Sequence, residues 1–274
     1  MSAYFKISKK KREPYFEMDS SHYHKDYEIY FLIKGTRRFF IEDSIYNLKG
    51  GDIVVLPKGV LHRTTYLNNL SHERFNVLFS KDYLCDLCQT EGSNFIERSF
   101  SGNPVITVLQ SKREYVNTLF ERLYAEYNGN DRYSDINIKN NLQEIIIFLI
   151  RCLDFPYEYD GMELDTSDSL MQEAARYISN NYNKELTLAK VAAQVNMSPT
   201  YFSKKFKEST GFGFKEYLIN IRLKKASFML LETKKSVTDI ASDCGFNDSN
   251  YFGDLFRRAK GISPLNYRKN NTFI

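Results

Sequence analysis

Apolar and polar positions alternate along the first part of the chain, and this alternation predicts strands. In the segment 27–34 every second residue is Tyr, Ile or Phe, a period of two that is typical of a strand. Strand-like runs continue to about residue 80, and glycine or proline turn signals at residues 50–51 and 57–59 separate them. Short strands with frequent turns predict an antiparallel sandwich or barrel.

The period changes to that of a helix in the middle of the chain. Apolar residues at 116, 119, 120, 123 and 127, and again at 138, 142, 145 and 149, predict two amphipathic helices. The stretch 155–168 has no periodicity and contains five acidic residues, so we interpret it as a linker. We therefore expect a barrel over residues 1–110, a helical dimerisation segment over 111–154, the linker, and a helical domain over 169–274.

The last segment contains an internal repeat at an offset of 49 to 50 residues. Three pairs of equivalent positions are Ala192 and Ala241, Asn196 and Gly245, and Phe206 and Phe256. In each copy a short helix, a turn and a second helix follow one another. Asn and Gly are the residue types that best tolerate a left-handed backbone in such a turn. Each copy is therefore predicted to be a helix-turn-helix.

Charge is distributed unevenly between the two halves. Residues 169–274 carry 17 basic and 9 acidic side chains, a net charge of +8, whereas residues 1–168 carry 21 and 25, a net charge of −4. A basic half favours binding of a polyanion, and double-stranded DNA is the polyanion that helix-turn-helix units bind.

Composition excludes several classes of protein. Hydrophobic residues make up 42% and charged residues 26%, as in ordinary globular proteins. The longest apolar run, residues 145–150, is far shorter than the roughly 20 residues of a membrane helix, so we expect no membrane partner. The basic N-terminal segment is not followed by an apolar stretch, so we expect no secretory signal. Four cysteines then favour a cytoplasmic location over a disulfide scaffold.

The segment 236–268 carries a specific set of residues. They are Ile240-Ala241, Gly245-Phe246, Tyr251-Phe252, Phe256, Gly261, Pro264 and Tyr267-Arg268. In this register the chain closely resembles the AraC/XylS family of bacterial transcription regulators over residues 169–274. The resemblance implies a DNA-binding domain of seven helices, in which one long helix, residues 214–231, joins two helix-turn-helix units.

The resemblance also implies roles for individual residues. The implied base-reading residues are Thr200, Ser203 and Lys204 in the first unit and Ser249, Asn250, Gly253 and Asp254 in the second. Lys207 and Arg257 are implied to contact phosphate. Family members often carry longer polar or basic residues where this chain has Gly253 and Asp254, so we expect the second unit to read its half-site more weakly.

The strand-rich half contains two further motifs. His22-x-His24, Glu28 and Gly35 form the first, and Gly51, Pro57-x-Gly59 and His62 form the second. Their spacing resembles both cupin motifs, with departures at Phe16 and Tyr66. The expected fold class is therefore a two-domain chain: an all-β cupin (jelly-roll) barrel followed by two helices, then an all-α domain with two helix-turn-helix units.

Three functions remain open for the barrel. Three histidines and a glutamate suit a first-row divalent metal, which would make the chain a cupin metalloenzyme fused to a DNA-binding domain. The same region could instead bind an effector, a sugar or similar polyol, through His24, Glu28, Arg37 and His62, with Arg38 as an alternative donor. The resemblance favours this sensor, with no catalytic residue, metal or cofactor. The third alternative is a regulator without a small-molecule effector.

We expect a ligand-responsive regulator that acts as a homodimer on DNA, with RNA polymerase as a further candidate partner. The expected dimer contact is the apolar stripe Ile138, Leu142, Ile145 and Leu149, broadened by Ile146 and Phe148. One side of this stripe is expected to cover the barrel and the other to pair with a second protomer; the alternative is that the whole stripe packs inside its own domain.

Overall fold

The computed structural model describes residues 4–14, 26–68, 70–92, 94–100, 103–129, 131–154 and 165–271. The chain divides into two compact units, residues 1–164 and 165–274. No helix among the described residues is long and apolar enough to cross a membrane.

Two antiparallel sheets form the first unit. The described strands are β1 (Phe5–Arg12), β2 (Tyr27–Lys34), β3 (Thr36–Ile41), β4 (Ser44–Lys49), β5 (Asp52–Leu56), β6 (His62–Thr65), β7 (His72–Phe79) and β8 (Val105–Thr107). The five-stranded sheet has the order β1-β7-β2-β5-β8, and the three-stranded sheet has the order β4-β3-β6. This double-sheet arrangement confirms the predicted β domain.

In the described residues of this unit, four α-helices accompany the strands. They are α1 (Cys85–Glu91), α2 (Phe95–Phe100), α3 (Arg113–Asn128) and α4 (Ser134–Asp154). The two long helices match the predicted amphipathic segments. The sequence analysis did not predict α1, α2 or β8, because elements of three to seven residues are too short to show a periodicity.

The five-stranded sheet is buried on both faces. On one face, Phe31 of β2 lies 4.9 Å, between ring centroids, from Phe120 of α3. On the other, Tyr30 packs edge-on against Phe39 of the second sheet at 4.7 Å. A period of two is typical of a strand with one exposed face, yet the first six residues of β2 are all buried. Helices on one side and the second sheet on the other account for this difference.

The predicted dimer contact lies inside its own unit. Ile138, Leu142, Ile145 and Leu149 of α4 are all buried in the core beneath the five-stranded sheet, together with Ile146. The expectation that one side of this stripe meets a second protomer is therefore wrong for these residues. These residues pack against the apolar face of the sheet.

The second unit consists of helices in the described residues. They are α5 (Thr166–Asn180), α6 (Leu188–Gln194), α7 (Pro199–Thr210), α8 (Phe214–Glu232), α9 (Val237–Asp243), α10 (Ser249–Lys260) and α11 (Pro264–Asn271). Of the predicted linker, residues 155–164 lie outside the described part of the chain. The helix α5 already begins at Thr166, because the Asp165 side chain accepts a hydrogen bond from the backbone N–H of Asp168 at 2.7 Å.

The long helix α8 contributes to the packing of both halves of this unit. Its Tyr217 packs against Phe206 of α7, with ring centroids 5.6 Å apart. One to three turns further on, Leu223, Ala226 and Leu230 join the core of the second half. The Arg222 guanidinium of α8 also donates to the backbone carbonyls of residues 182 and 184, which lie between α5 and α6. A single rigid element therefore holds both helix pairs.

Adding a methyl group at two glycines of this unit should change the free energy of unfolding in opposite directions. Gly245 has a φ of +82°, and a Cβ there would approach the Asn183 carbonyl oxygen to 2.9 Å. Gly253 lies within α10, and a Cβ there would meet no described atom within 4 Å. We predict that Gly245→Ala lowers the free energy of unfolding by about 1–3 kcal/mol. The control, Gly253→Ala, should raise it by about 1 kcal/mol. Urea unfolding followed by helical circular dichroism tests both, and unchanged stability of Gly245→Ala would contradict the account.

Candidate functional site

The two turns of the repeat have the same geometry. In the first copy Asn196 has a φ of 54°, and in the second Gly245 has a φ of 82°. Directly after each turn, a backbone N–H donates to the carbonyl of a buried alanine: Met197 to Ala192 at 3.0 Å, and Phe246 to Ala241 at 2.9 Å. The small alanine side chains let the two helices of each pair approach closely. Both units are therefore helix-turn-helix structures, as predicted.

The second helix of each unit has one buried face. In α7 this face is formed by Phe202 and Phe206, and in α10 by Phe252 and Phe256. The caps also follow the sequence: the Ser198 side chain accepts from the backbone at the start of α7, and Pro199 occupies its first turn. With four aromatic rings fixing the inner faces, the opposite faces of both helices point outward.

The residues predicted to contact DNA lie on these outward faces or at their edges. The exposed ones are Thr200, Ser203, Lys204 and Lys207 in α7 and Asn250, Asp254 and Arg257 in α10. Ser249 and Gly253 are half-buried. The Lys204 side chain is 76% exposed, and its ion pair with Glu208 is long, at 3.9 Å. Such an exposed pair contributes little, so Lys204 can exchange it for a DNA contact at small cost.

In the first unit of the chain, a buried histidine–carboxylate pair lies between the two sheets. Nε2 of His62 is 3.2 Å from Oε2 of Glu28, and both side chains are buried. Nδ1 of His62 is 3.0 Å from the Val60 carbonyl oxygen, which can only accept a hydrogen bond. Nδ1 therefore donates to this carbonyl, and Nε2 faces the Glu28 carboxyl group.

Of the two candidate arginines, the buried one faces the same interior. Arg37 is 1% exposed, and its Nη2 donates to Thr64 Oγ1 at 3.1 Å. Its neighbour Arg38 points to the opposite face of the sheet, where Nε donates to Asn47 Oδ1 at 3.2 Å. Because successive side chains of a strand face opposite sides, Arg37 faces the interior and Arg38, the alternative donor, does not.

His72 and its cationic neighbours form a further polar cluster in this interior. Burial lowers the pKa of His72 to about 4, and the positive charges of Arg37, Arg74 and Arg12 lower it further in the same direction. Burial also raises the pKa of Tyr30 to about 12, although Arg74 and Arg37 oppose this rise. These mutual effects indicate that the side chains lie close together.

Two family models match the chain. The AraC-like ligand-binding domain matches residues 10–146, and the helix-turn-helix domain matches residues 191–270. The chain belongs to the AraC family. It is a DNA-binding transcription regulator with a ligand-binding domain of the AraC type.

Several proteins are similar to this AraC-family chain. The Msm operon regulatory protein of Streptococcus mutans is 24% identical over 262 residues, which span 89% of this chain and 84% of that protein. The HTH-type transcriptional activator RhaS of Klebsiella pneumoniae is 25% identical over 261 residues, spanning 92% and 88%. Among solved structures, the C-terminal domain of AraT, a response regulator from Geobacillus stearothermophilus, is 32% identical, with a TM-score of 0.38, and covers 40% of this chain and 92% of that one.

The cupin-like residues are only partly described. His22 and His24 lie outside the described residues, whereas Glu28 and His62 meet as a pair. Within the described ranges no group of three or more His, Cys, Asp or Glu residues is arranged to hold a metal ion.

Sequence reasoning missed three polar residues of the interior, namely Arg12, His72 and Arg74. His72, Arg74 and Asn76 alternate with Phe75, Val77 and Phe79 along β7. A polar face opposite an apolar one is normally interpreted as the solvent face of a strand. The alternation of polar and apolar residues was therefore visible in the sequence, but it indicated a solvent-exposed face where the structure has an enclosed one.

The lowered pKa of His72 gives a prediction about stability and pH. Between its ordinary value of 6.5 and the folded value of about 4, the unfolded chain binds a proton that the folded chain does not. The free energy of unfolding should therefore fall as the pH falls through this window, with a slope from this group of up to about 1.4 kcal/mol per pH unit. His72→Gln should remove that part of the slope. Urea unfolding of both proteins between these pH values tests this, and identical slopes would contradict it.

Proposed function

We propose that this AraC-family regulator reads operator DNA with α7 and α10 and changes its activity when a small polar effector binds between the sheets. The observation that carries the DNA part is the pair of matched helices, each with an aromatic inner face and an exposed polar outer face, attached to the same helix α8. Helices of this kind read base edges in the major groove.

The dimensions of α8 support a two-site reading of DNA. Its 19 residues give it a length of about 28 Å at the usual helical rise. One turn of B-DNA measures about 34 Å, so two units attached along such a helix can enter successive major grooves on one side of the duplex.

The proposed DNA contacts are of two kinds, those to base edges and those to phosphates. Thr200, Ser203 and Lys204 on α7 suit base edges, as do Ser249, Asn250 and Asp254 on α10, whereas Lys207 and Arg257 suit phosphates. Gly253 offers no side chain, and Asp254 can only accept a hydrogen bond. We therefore propose that α7 supplies more of the sequence discrimination than α10.

Two variants separate base reading from phosphate binding. Lys204→Ala should weaken binding to the preferred operator by about 1–3 kcal/mol and change binding to random DNA little. Arg257→Ala should weaken binding to both sequences alike and reduce the salt dependence by about one unit. Fluorescence anisotropy titrations at several salt concentrations measure both effects. Equal losses on specific and random DNA for Lys204→Ala would contradict its role as a base reader.

The effector part of the proposal is supported by the buried polar groups of the barrel. Glu28, His62, Arg37 and Thr64 are buried and together offer hydrogen-bond donors and acceptors, which suits a hydroxyl-rich molecule such as a carbohydrate. His24 belongs to the same proposed site by its place in the motif. Binding there acts on DNA only if the effector prefers one arrangement of the chain over another.

Variants of these histidines test the effector site. His24→Ala and His62→Ala should abolish the response to an effector found by thermal-shift screening of sugars, while operator binding without effector stays within a few-fold, because α7 and α10 are untouched. Arg38→Ala is the control, because this side chain faces away from the interior, and it should respond normally. A reporter strain with the operator measures the response. Normal induction in both histidine variants would contradict the assignment.

We also propose that the regulator is a homodimer that pairs through the outer face of α3 and α4. With the inner stripe of α4 buried, the apolar residues left at this surface are Tyr115, Ile147 and Phe148, of which Tyr115 and Phe148 are in contact, with ring centroids 5.7 Å apart. RNA polymerase is a further candidate partner, with no residue of the chain assigned to it.

A charge placed on this face should separate the protomers. Phe148→Asp should shift the full chain to a monomer in sedimentation-velocity runs, because an aspartate buried at an interface loses its hydration. Ile136→Asp is the matched control: Ile136 is 55% exposed near the start of the same helix and should leave the dimer intact. A monomeric wild-type chain, or equal effects of the two variants, would contradict the proposed interface.

A further inference from the structure

The strand register brings several polar side chains to one side of the five-stranded sheet. In β7, Arg74 pairs with Leu32 of β2, and Asn76 pairs with Tyr30, so all four face the same way. Leu32 and Tyr30 pack against Phe39 and other residues of the second sheet in the core between the sheets. Arg74 and Asn76 therefore lie on the side of the sheet that faces this interior, and both are half-buried.

Two further arginines belong to the same cluster. Arg12 of β1 pairs with His72 of β7, two residues from Arg74 on the same face. Arg37 enters from the second sheet, because it shares a face of β3 with Phe39. Three guanidinium groups from three strands thus surround His72.

The Arg74 guanidinium forms no ion pair with a carboxylate of the described residues. Glu28 lies beyond Tyr30 on the same face of β2 and is already within 3.2 Å of His62. Asp52 of β5 lies two strands away from Arg74, and it accepts hydrogen bonds from Thr107 Oγ1 at 2.8 Å and the Lys49 backbone N–H at 2.8 Å. The half-buried acid Glu73 points to the helices, where it pairs with Lys9 at 3.6 Å.

Polar atoms beside the cluster are buried without a hydrogen bond. Tyr30 is 3% exposed, and its hydroxyl has no partner among the described residues. The same holds for Nη1 of Arg74, whose guanidinium carbon lies 5.3 Å from the centre of the Tyr30 ring. Leaving such buried donors unsatisfied destabilises a protein by about 1–3 kcal/mol each. A bound group that accepts from both donors would remove this cost.

We propose that the interior between the sheets binds an oxyanion, a carboxylate or phosphate carried by the effector, held by Arg74, Arg37 and the Tyr30 hydroxyl. Guanidinium groups present parallel N–H donors that match the two oxygens of such an anion, and the Tyr30 O–H donates a further hydrogen bond. A neutral polyol would satisfy the donors but leave the positive charge of Arg74 without a counter-ion. This inference rests on the proposed effector site and narrows its ligand from a polyol to an anionic molecule.

Matched sugars test the inference on the full-length protein. Thermal unfolding and isothermal titration are measured with glucose, glucuronate and glucose 6-phosphate, and with inorganic phosphate against sodium chloride at equal ionic strength. Glucuronate or one of the phosphates should stabilise the protein more than glucose and chloride do. Stabilisation by glucuronate alone identifies a carboxylate site, and stabilisation by the phosphates alone identifies a phosphate site.

Arg74→Gln is the decisive variant, because glutamine keeps a hydrogen-bond donor and removes the charge. It should weaken binding of the stabilising anion by about tenfold or more. Lys11→Gln is the matched control: Lys11 pairs with Glu73, which points to the helices, and it is exposed to solvent, so its loss should leave anion binding unchanged. Tyr30→Phe removes only the hydroxyl and provides a second variant if Arg74→Gln does not fold.

Three results would overturn the inference. They are stabilisation by glucose equal to that by the anions, no anion effect beyond chloride, and anion binding that survives in both Arg74→Gln and Tyr30→Phe. The first would leave the proposed function standing with a neutral effector. Failure of the wild-type chain to bind DNA would count against the proposed function alone, because anion binding is measured without DNA.

Discussion

The first unit depends on a five-stranded sheet that is packed on both of its faces. One face is apolar, with Ile29, Phe31, Phe75 and Val77 against α3 and α4, and it supplies most of the hydrophobic burial. Because that face and its helices stabilise the fold, the opposite face is free to carry polar and charged groups. The interior between the sheets therefore combines an aromatic contact, Tyr30 with Phe39, with a carboxylate, histidines and arginines.

The second unit depends on α8, against which both helix-turn-helix units pack. Each helix-turn-helix is too small to have a large core of its own, and each buries its inner aromatic face against part of this helix. One arginine also bonds backbone carbonyls in each half: Arg222 bonds carbonyls that follow α5, and Arg268 bonds the carbonyls of residues 230 and 235 around the end of α8. The duplicated sequence thus folds into two similar units that share the helix α8.

The helical half could be predicted closely from sequence because its signals are local. Ser198, Asp248, Gly211 and Gly261 define helix ends through contacts a few residues away, and Asn196 and Gly245 have the left-handed turns expected of their residue types. The i, i+4 spacing of Phe202 and Phe206, and of Phe252 and Phe256, indicates the inner faces of α7 and α10, whereas the roles of the outward residues came from the family resemblance.

The barrel half could not be predicted to the same depth. Alternation along a strand reveals two faces but does not say which one is enclosed, so Arg74 and His72 were not recognised as interior residues. The apolar stripe of α4 was equally ambiguous, because a sequence does not distinguish a helix that covers its own sheet from one that also meets a second protomer. Long-range register, which pairs Tyr30 with Asn76, settles the first question and appears only in the structure.

The central claim is that the two recognition helices α7 and α10, which are both attached to α8, read DNA together. Footprinting tests this claim most directly. Hydroxyl-radical footprinting of the full chain on its operator should give, for each protomer, two protected segments on the same side of the duplex, with centres one helical turn or about 10 base pairs apart. Protection confined to one groove per protomer, or two segments on opposite sides of the duplex, would contradict the account.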